Sequence, residues 1–235
     1  MHRYQILIEY DGTSYVGWQI QKKGKSIQKT VQSVLKKIFK QKIILFSAGR
    51  TDSGVHAREQ SAHFDVKNKI QNIDKIIKSL NFFLNNKNIS IIKIKKKKNN
   101  FHARYLAKER IYLYIILNRQ SPSTLNKYRE WHIRKKLDIN LIRKGAKKLI
   151  GTHDFSTFRA SNCSSKTAIR TINEIIVRKQ NNRIKLKFKS KSFLKNQVRS
   201  MVGCLKYIGE KKWNLKNFEN IIIKKDRKKV APPAP

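Results

Sequence analysis

Asp52 sits in the stretch Gly-Arg-Thr-Asp-Ser-Gly-Val-His-Ala at residues 49–57, where a carboxylate, a guanidinium, two hydroxyls and an imidazole share nine positions. Ile43, Ile44, Leu45 and Phe46 precede it and Ser61, Ala62, His63 and Phe64 follow, so the polar residues read as a tight loop joining two strands. Gly49 and Gly54 free the backbone on either side of the Asp. A carboxylate held on such a loop beside Arg50 stays ionised in a closed pocket, because a neighbouring cation favours the charged form. That state suits a nucleophile better than a proton donor. Taken alone, Thr-Asp-Ser-Gly is equally a turn closed by an Asx side-chain bond, with no chemistry.

Three further segments carry polar or aromatic residues in unusual company. Phe101-His102-Ala103-Arg104 is followed eight positions later by Tyr112, within Arg110-Ile111-Tyr112-Leu113-Tyr114. Gly151-Thr152-His153-Asp154-Phe155 leads to Phe158 and Arg159. In residues 192–203, Leu194, Val198, Met201 and Val202 continue to Leu205 as a helical core stripe, and Arg199 lies at its border. With the Asp52 loop, these segments, in this order, resemble the bacterial tRNA pseudouridine synthase A family. The nine consecutive residues 49–57 are the most specific part of the likeness. Lys195 and Gln197 depart from the Tyr and Met more usual in the last segment.

The resemblance implies a mixed α/β (α+β) pseudouridine synthase fold, with two related halves around a central, mostly antiparallel sheet. It implies isomerisation of uridine to pseudouridine at positions 38 to 40 of the tRNA anticodon arm, without cofactor or metal, by a cytoplasmic homodimer that binds one tRNA across both subunits. Asp52 would be the nucleophile, attacking the sugar or the base ring. Arg199 would pair with it, since a permanently charged guanidinium can hold a carboxylate bidentately and fix its rotamer. Tyr112 would stack on the extruded pyrimidine, an interaction worth about 1–3 kcal/mol per base. Arg50 would help displace the flipped nucleotide. The plainer readings are a phosphate or surface role for Arg199 and a shared buried strand face for Tyr112 and Tyr114, of which Tyr114 is left in the core.

The chain has 235 residues and a formal net charge of +41, which points to a polyanionic partner. Lys, Ile and Asn are all abundant, as in proteins of AT-rich genomes, so part of that charge is solvated filler rather than contact. A noncatalytic tRNA- or RNA-binding protein would carry the same charge, yet it would leave Asp52 without a purpose in a basic cleft. A metal-dependent nuclease is disfavoured because only Glu9 and Asp11 stand close together among the acids. Cys163 and Cys204 make no disulfide framework, and neither has a partner at metal-ligand spacing. The N-terminus leads into a strand without the apolar region of a signal peptide, and no apolar run reaches membrane-spanning length, so the chain reads as cytosolic.

The elements that must position these residues follow from periodicity. Strands are expected at residues 4–11, with Tyr4, Ile6, Ile8 and Tyr10 on one face, and at 60–65, 89–94, 110–116, 171–177 and 183–189, the last alternating Ile184, Leu186 and Phe188 with basic residues. Helices are expected at 26–39, 73–84 and 139–150 and along the stripe from Leu194 to Leu205. His153 and Asp154 read as a helix-to-loop cap with Phe155 and Phe158 buried. Tyr15-Val16-Gly17-Trp18-Gln19 resembles the family's stretch after the first strand, which helps to surround the active site, and the plainer reading is core anchoring by Trp18. The lysines at 95–98 with Asn99 and Asn100 lack a core pattern and mark a boundary, giving an N-terminal half 1–98 that carries the Asp loop and a C-terminal half 99–235 that carries Tyr112 and the Arg199 helix. At the C-terminal end, Ala-Pro-Pro-Ala-Pro stands where the family continues into a last strand, which leads to the expectation of an exposed sheet edge or a weaker dimer contact.

Overall fold

The computed structural model describes residues 1–225 and 227–235 and forms two compact units, Met1–Ala107 and Lys108–Pro235. Each has its own sheet and its own core.

In the first unit β1 (His2–Tyr10) alternates as expected, with Tyr4, Ile6, Ile8 and Tyr10 buried. Helix α1 (Ile27–Phe39) begins where the Ser26 side chain accepts the Lys29 N–H. It buries Ile27, Val31, Val34 and Leu35 on one face and turns lysines outward. Strands β2 (Phe46–Ser47) and β3 (Ala57–Val66) flank the Asp52 loop. Of the apolar run 43–46 only Phe46 enters a strand, because Ile43 and Leu45 face the core from irregular backbone. Helix α2 (Ile73–Leu84), capped by Asn72, leads to β4 (Ile89–Lys97). The strand order is β2-β3-β1-β4, antiparallel throughout.

The expected boundary after Lys98 therefore falls inside this unit. Lys95, Lys96 and Lys97 are not linker but the end of β4, paired with Gln5, Tyr4 and Arg3 of β1. β4 is an edge strand, and lysines on an edge deter pairing with other chains. Repulsion from Lys93 and Lys97 lowers the proton affinity of Lys95. Beyond β4 the chain is tied back: Arg3 donates to the carbonyls of Asn99 and Phe101 while its fork holds Asp65, and Ala103 N–H donates to His63 Nδ1 at 3.2 Å.

His63 is 1% exposed, and burial, with Arg3 and His102 nearby, pushes its imidazole down to about 4. The unfolded chain then takes up a proton between about pH 6.5 and pH 4 that the native ring refuses, so stability is full above 6.5 and falls on acidification. Asp65, held ionised by Arg3, extends the loss below the ordinary carboxylate range. Urea denaturation followed by Trp18 fluorescence should show a loss of about 2–3 kcal/mol from pH 7 to pH 4, and His63→Gln should flatten that slope.

The second unit contains β5 (Arg110–Asn118), β6 (Trp131–Ile133), α3 (Ile139–Lys147), β7 (Gly151–Asp154), β8 (Ile169–Gln180), β9 (Arg183–Ser190), α4 (Gln197–Gly209) and α5 (Leu215–Lys224). The order is β6-β5-β9-β8-β7, antiparallel except for the β5–β6 pair. β9 buries Ile184, Leu186, Phe188 and Ser190, with basic residues between them, as its alternation predicts. Those cations are partly neutralised: Arg183 holds Glu130 and Lys189 holds Glu174.

Three local expectations change. α3 ends at Lys147 rather than 150, and Ile150 points into solvent because a strand begins at Gly151. His153 and Asp154 belong to β7 rather than to a helix cap, although Asp154 caps the turn after it by accepting the Ser156 N–H, and Phe155 and Phe158 are buried as expected. α4 begins at Gln197, so Leu194 reaches the core from the preceding loop. Among the described residues no helix is long and apolar enough to cross a membrane.

Candidate active site

The Asp52 loop is a clamped turn. Asp52 accepts the Val55 N–H at 3.2 Å, and Gly54 at the third position has φ +75°, the arrangement of a type II turn. Residues 12–18, which follow β1, hold it from outside. Trp18 N–H donates to Thr51 O at 3.0 Å, Gly54 N–H and Ser53 Oγ donate to Tyr15 O, and Tyr10 Oη lies 2.8 Å from Thr51 Oγ1. Gly12 N–H donates to His56 Nδ1 at 3.0 Å. On the strand side Ala48 N–H bonds Ser61 O, and the Gln60 amide donates to Gly49 O. Tyr10, Tyr15 and Trp18 are almost fully buried, so the clamp rests on the core. Trp18 anchors the core through its ring, and its backbone N–H grips the loop.

Asp52 itself is half-buried, and within its unit its carboxylate makes no hydrogen bond or ion pair among the described residues. The loop thus fixes the backbone of the Asp and spends none of its side-chain oxygens. Arg50 stands on the same loop with its residue exposed. The partner missed in the sequence is Tyr10, read only as a strand residue, whereas Tyr15 and Gly17 lie in the stretch 15–19 singled out by resemblance. Gly17 packs directly on the Asp52 backbone, because a Cβ on it would meet Thr51 O at 2.6 Å and Asp52 C at 3.1 Å. The Tyr-Val-Gly-Trp stretch draws attention to this segment, but the contact that makes Gly17 necessary is tertiary.

Tyr112 and Arg199 lie in the second unit, on β5 and α4. Tyr112 is half-buried, edge-on to Phe193 with ring centroids 5.1 Å apart. Tyr114, on the same strand face, packs edge-on to Trp131 and donates its phenol to Pro235 O. Burial raises the proton affinity of that phenol, while the Arg199 cation opposes the effect. Arg199 is half-buried, and its Nε donates to Ala234 O at 2.7 Å. Ala234 N–H returns a bond to Arg199 O at 3.0 Å. Within the unit the two terminal nitrogens of Arg199 have no hydrogen-bond partner among the described residues, which leaves the end of the fork for a carboxylate. The unusual Gln197 is fully buried, and its Oε1 accepts the Leu194 N–H at 2.7 Å, closing the turn that starts α4.

Residues 230–235 pack along α4, with Ala231 and Ala234 buried. The close approach occurs at Gly203, where a Cβ would stand 2.1 Å from Pro232 O. Gly203→Ala should therefore lift this segment and lower the stability of the second unit by about 1–3 kcal/mol, measured as a shift in urea midpoint with Trp131 and Trp213 as reporters.

An open cavity of about 850 Å³ lined by Ile77, Asn81, Phe82, Lys87 and Ser90 contains none of these residues. Among the described residues no three His, Cys, Asp or Glu side chains gather as metal ligands would.

A family model described as tRNA pseudouridine synthase matches residues 6–106 and 146–235, which include Arg50, Asp52 and Arg199 and leave Tyr112 between the matched segments. The chain is 60% identical, over all of its 235 residues and 96% of the relative, to tRNA pseudouridine synthase A of Pelagibacter ubique. It is 40% identical over its full length to the protein of that name from Paramagnetospirillum magneticum, covering 91% of it. The corresponding figures for Parvibaculum lavamentivorans are 38% and 95%.

Proposed function

The chain belongs to the tRNA pseudouridine synthase family, and from that premise we propose that it isomerises uridine to pseudouridine at positions 38–40 of the tRNA anticodon arm, with Asp52 as nucleophile. The reaction breaks the N1–C1′ bond, turns the freed uracil and forms a C5–C1′ bond, releasing the C5 hydrogen. A base inside a helical stack offers neither face for this, so the nucleotide is extruded first. Arg50 displaces it, Tyr112 stacks on the pyrimidine, and Asp52 attacks the sugar or the ring. Arg199 orients the Asp52 carboxylate with the terminal nitrogens that Ala234 leaves unoccupied.

The observation that carries this reading is the clamped turn. Six hydrogen bonds with Tyr10, Gly12, Tyr15, Trp18 and Gln60 fix the loop around Asp52, while its carboxylate is left uncommitted within the unit among the described residues. A nucleophile needs that combination of a fixed backbone and an unspent side chain. The reading includes a cytoplasmic homodimer that binds one tRNA across both subunits and needs neither cofactor nor metal.

The test is tritium release from tRNA transcripts labelled at uracil C5, run in EDTA, with the modified position mapped in transcripts that carry a single uridine among 38, 39 and 40. Release confined to those transcripts supports the assignment. Release from a uridine outside the anticodon arm would reassign the substrate position, and dependence on a divalent cation beyond what the tRNA needs to fold would overturn the metal-free mechanism.

A further inference from the structure

The first unit exposes a short stack of rings that the proposed reaction does not use. Phe46 of β2 lies parallel to the buried His63 with centroids 5.1 Å apart. His102 stands 4.7 Å from His63 and 5.8 Å from Phe46, and Tyr105 lies 4.2 Å from His102, tilted by 33°. Phe46 is 43% exposed and Tyr105 72%, so the series runs from the core out to solvent. The Arg104 guanidinium is 6.0 Å from the Tyr105 ring centre.

The stack is held from beneath. Arg3 grips the carbonyls of Asn99 and Phe101, Ala103 N–H is bonded to His63, and Leu106 N–H to His102 O. Burial and the cations Arg3 and Arg104 lower the proton affinity of His102. The rings touch one another, so a further flat group would stack on the exposed outer surface of Tyr105 or Phe46, which is costly to leave in water.

Resting on the reading of the chain as a tRNA-modifying enzyme, we infer that Phe46, His102 and Tyr105 form a second base-stacking platform, which takes an unpaired nucleotide of the same tRNA away from the target. The chemistry of the surface selects this occupant. Every nucleobase has a π-face, and stacking on aromatic rings is tolerant of sequence. The chain's charge of +41 favours the same partner. Position agrees as well: Phe46 is six residues before Asp52 in the same unit, so the two are at most about 20 Å apart along the chain. Phe46 pairs with His63, six residues along β3 from Ala57, so the rings lie along the same strand pair that carries the Asp52 loop.

Tyr105→Ala, Tyr105→Trp and Phe46→Ala on the full chain test this through the Kd for tRNA transcript by fluorescence anisotropy, with tritium release measured in parallel. Tyr105 and Phe46 are exposed enough for truncation to leave the core intact, which the urea midpoint verifies. Tyr105→Ala should raise Kd and KM about 5- to 150-fold, the range that base–aromatic stacking spans, with kcat unchanged. Tyr105→Trp should restore both, which a purely structural role would not allow. An unchanged Kd in Tyr105→Ala overturns the platform. So does a change in sedimentation of the protein alone with Kd unaltered, which would assign the rings to a second copy of the chain. Absence of tritium release from the unsubstituted chain would overturn the reading of Asp52 instead, while the Kd series would still decide the platform.

Discussion

Asp52→Asn should abolish tritium release, with a loss of about 10⁴-fold or more, while the protein remains folded and binds tRNA as before. Asn has the shape of Asp but an amide in place of the attacking oxygen. The turn should survive the exchange because it is closed through the backbone of Asp52, from Val55 N–H, and clamped through Thr51, Ser53 and Gly54. The carboxylate makes no hydrogen bond within its unit among the described residues, so the amide breaks none there. A parallel loss of tRNA affinity would instead mean that Asp52 shapes the binding surface. Retained release would move the nucleophile elsewhere. Single-turnover kinetics at saturating enzyme separate these outcomes, because they read the chemical step without the binding step.

Gly17→Ala should be nearly as informative, with kcat down about 10²-fold and KM for tRNA little changed. Gly17 has φ +111°, which L side chains rarely adopt, and its added Cβ would meet Thr51 O at 2.6 Å. Relief requires residues 12–18 or the Thr51–Asp52 peptide to move, and a shift of about 1 Å in a nucleophile is enough for such a loss. The strain should also cost about 1–3 kcal/mol of stability in the first unit. Gly54→Ala is the control. Gly54 also has positive φ, at +75°, but a Cβ there meets nothing within 4 Å. It carries the backbone strain without the steric push on Asp52. Gly54→Ala should therefore lower stability with a smaller effect on kcat, and equal losses of kcat in the two variants would show that turn strain, not the contact with Thr51, sets the rate.

The separation of these two glycines shows where local sequence stops being informative. Both stand in motifs that draw attention, and both have positive φ, but only the packing of residues 12–18 against the loop distinguishes them. The lysines of β4 make the same point in reverse. As a sequence they lack a core pattern, yet they pair with β1 because backbone hydrogen bonding in an edge strand is indifferent to side chains that face solvent.

What the sequence determined by itself was local and periodic: the apolar face of α1, the buried face of β1, the alternation of β9, the clustering of polar groups around Asp52, and the family to which those motifs belong. These depend on near neighbours and on a repeat of two or 3.6 residues, which a one-dimensional string preserves. Tertiary structure alone decided that residues 99–107 join the first unit, that Ala234 engages Arg199, and that Phe46, His102 and Tyr105 stack together. Each of these unites residues 35 or more positions apart, or three segments at once. Such contacts form because buried polar groups must find partners and apolar rings must be covered, and which partner lies within reach is settled only when the chain is folded.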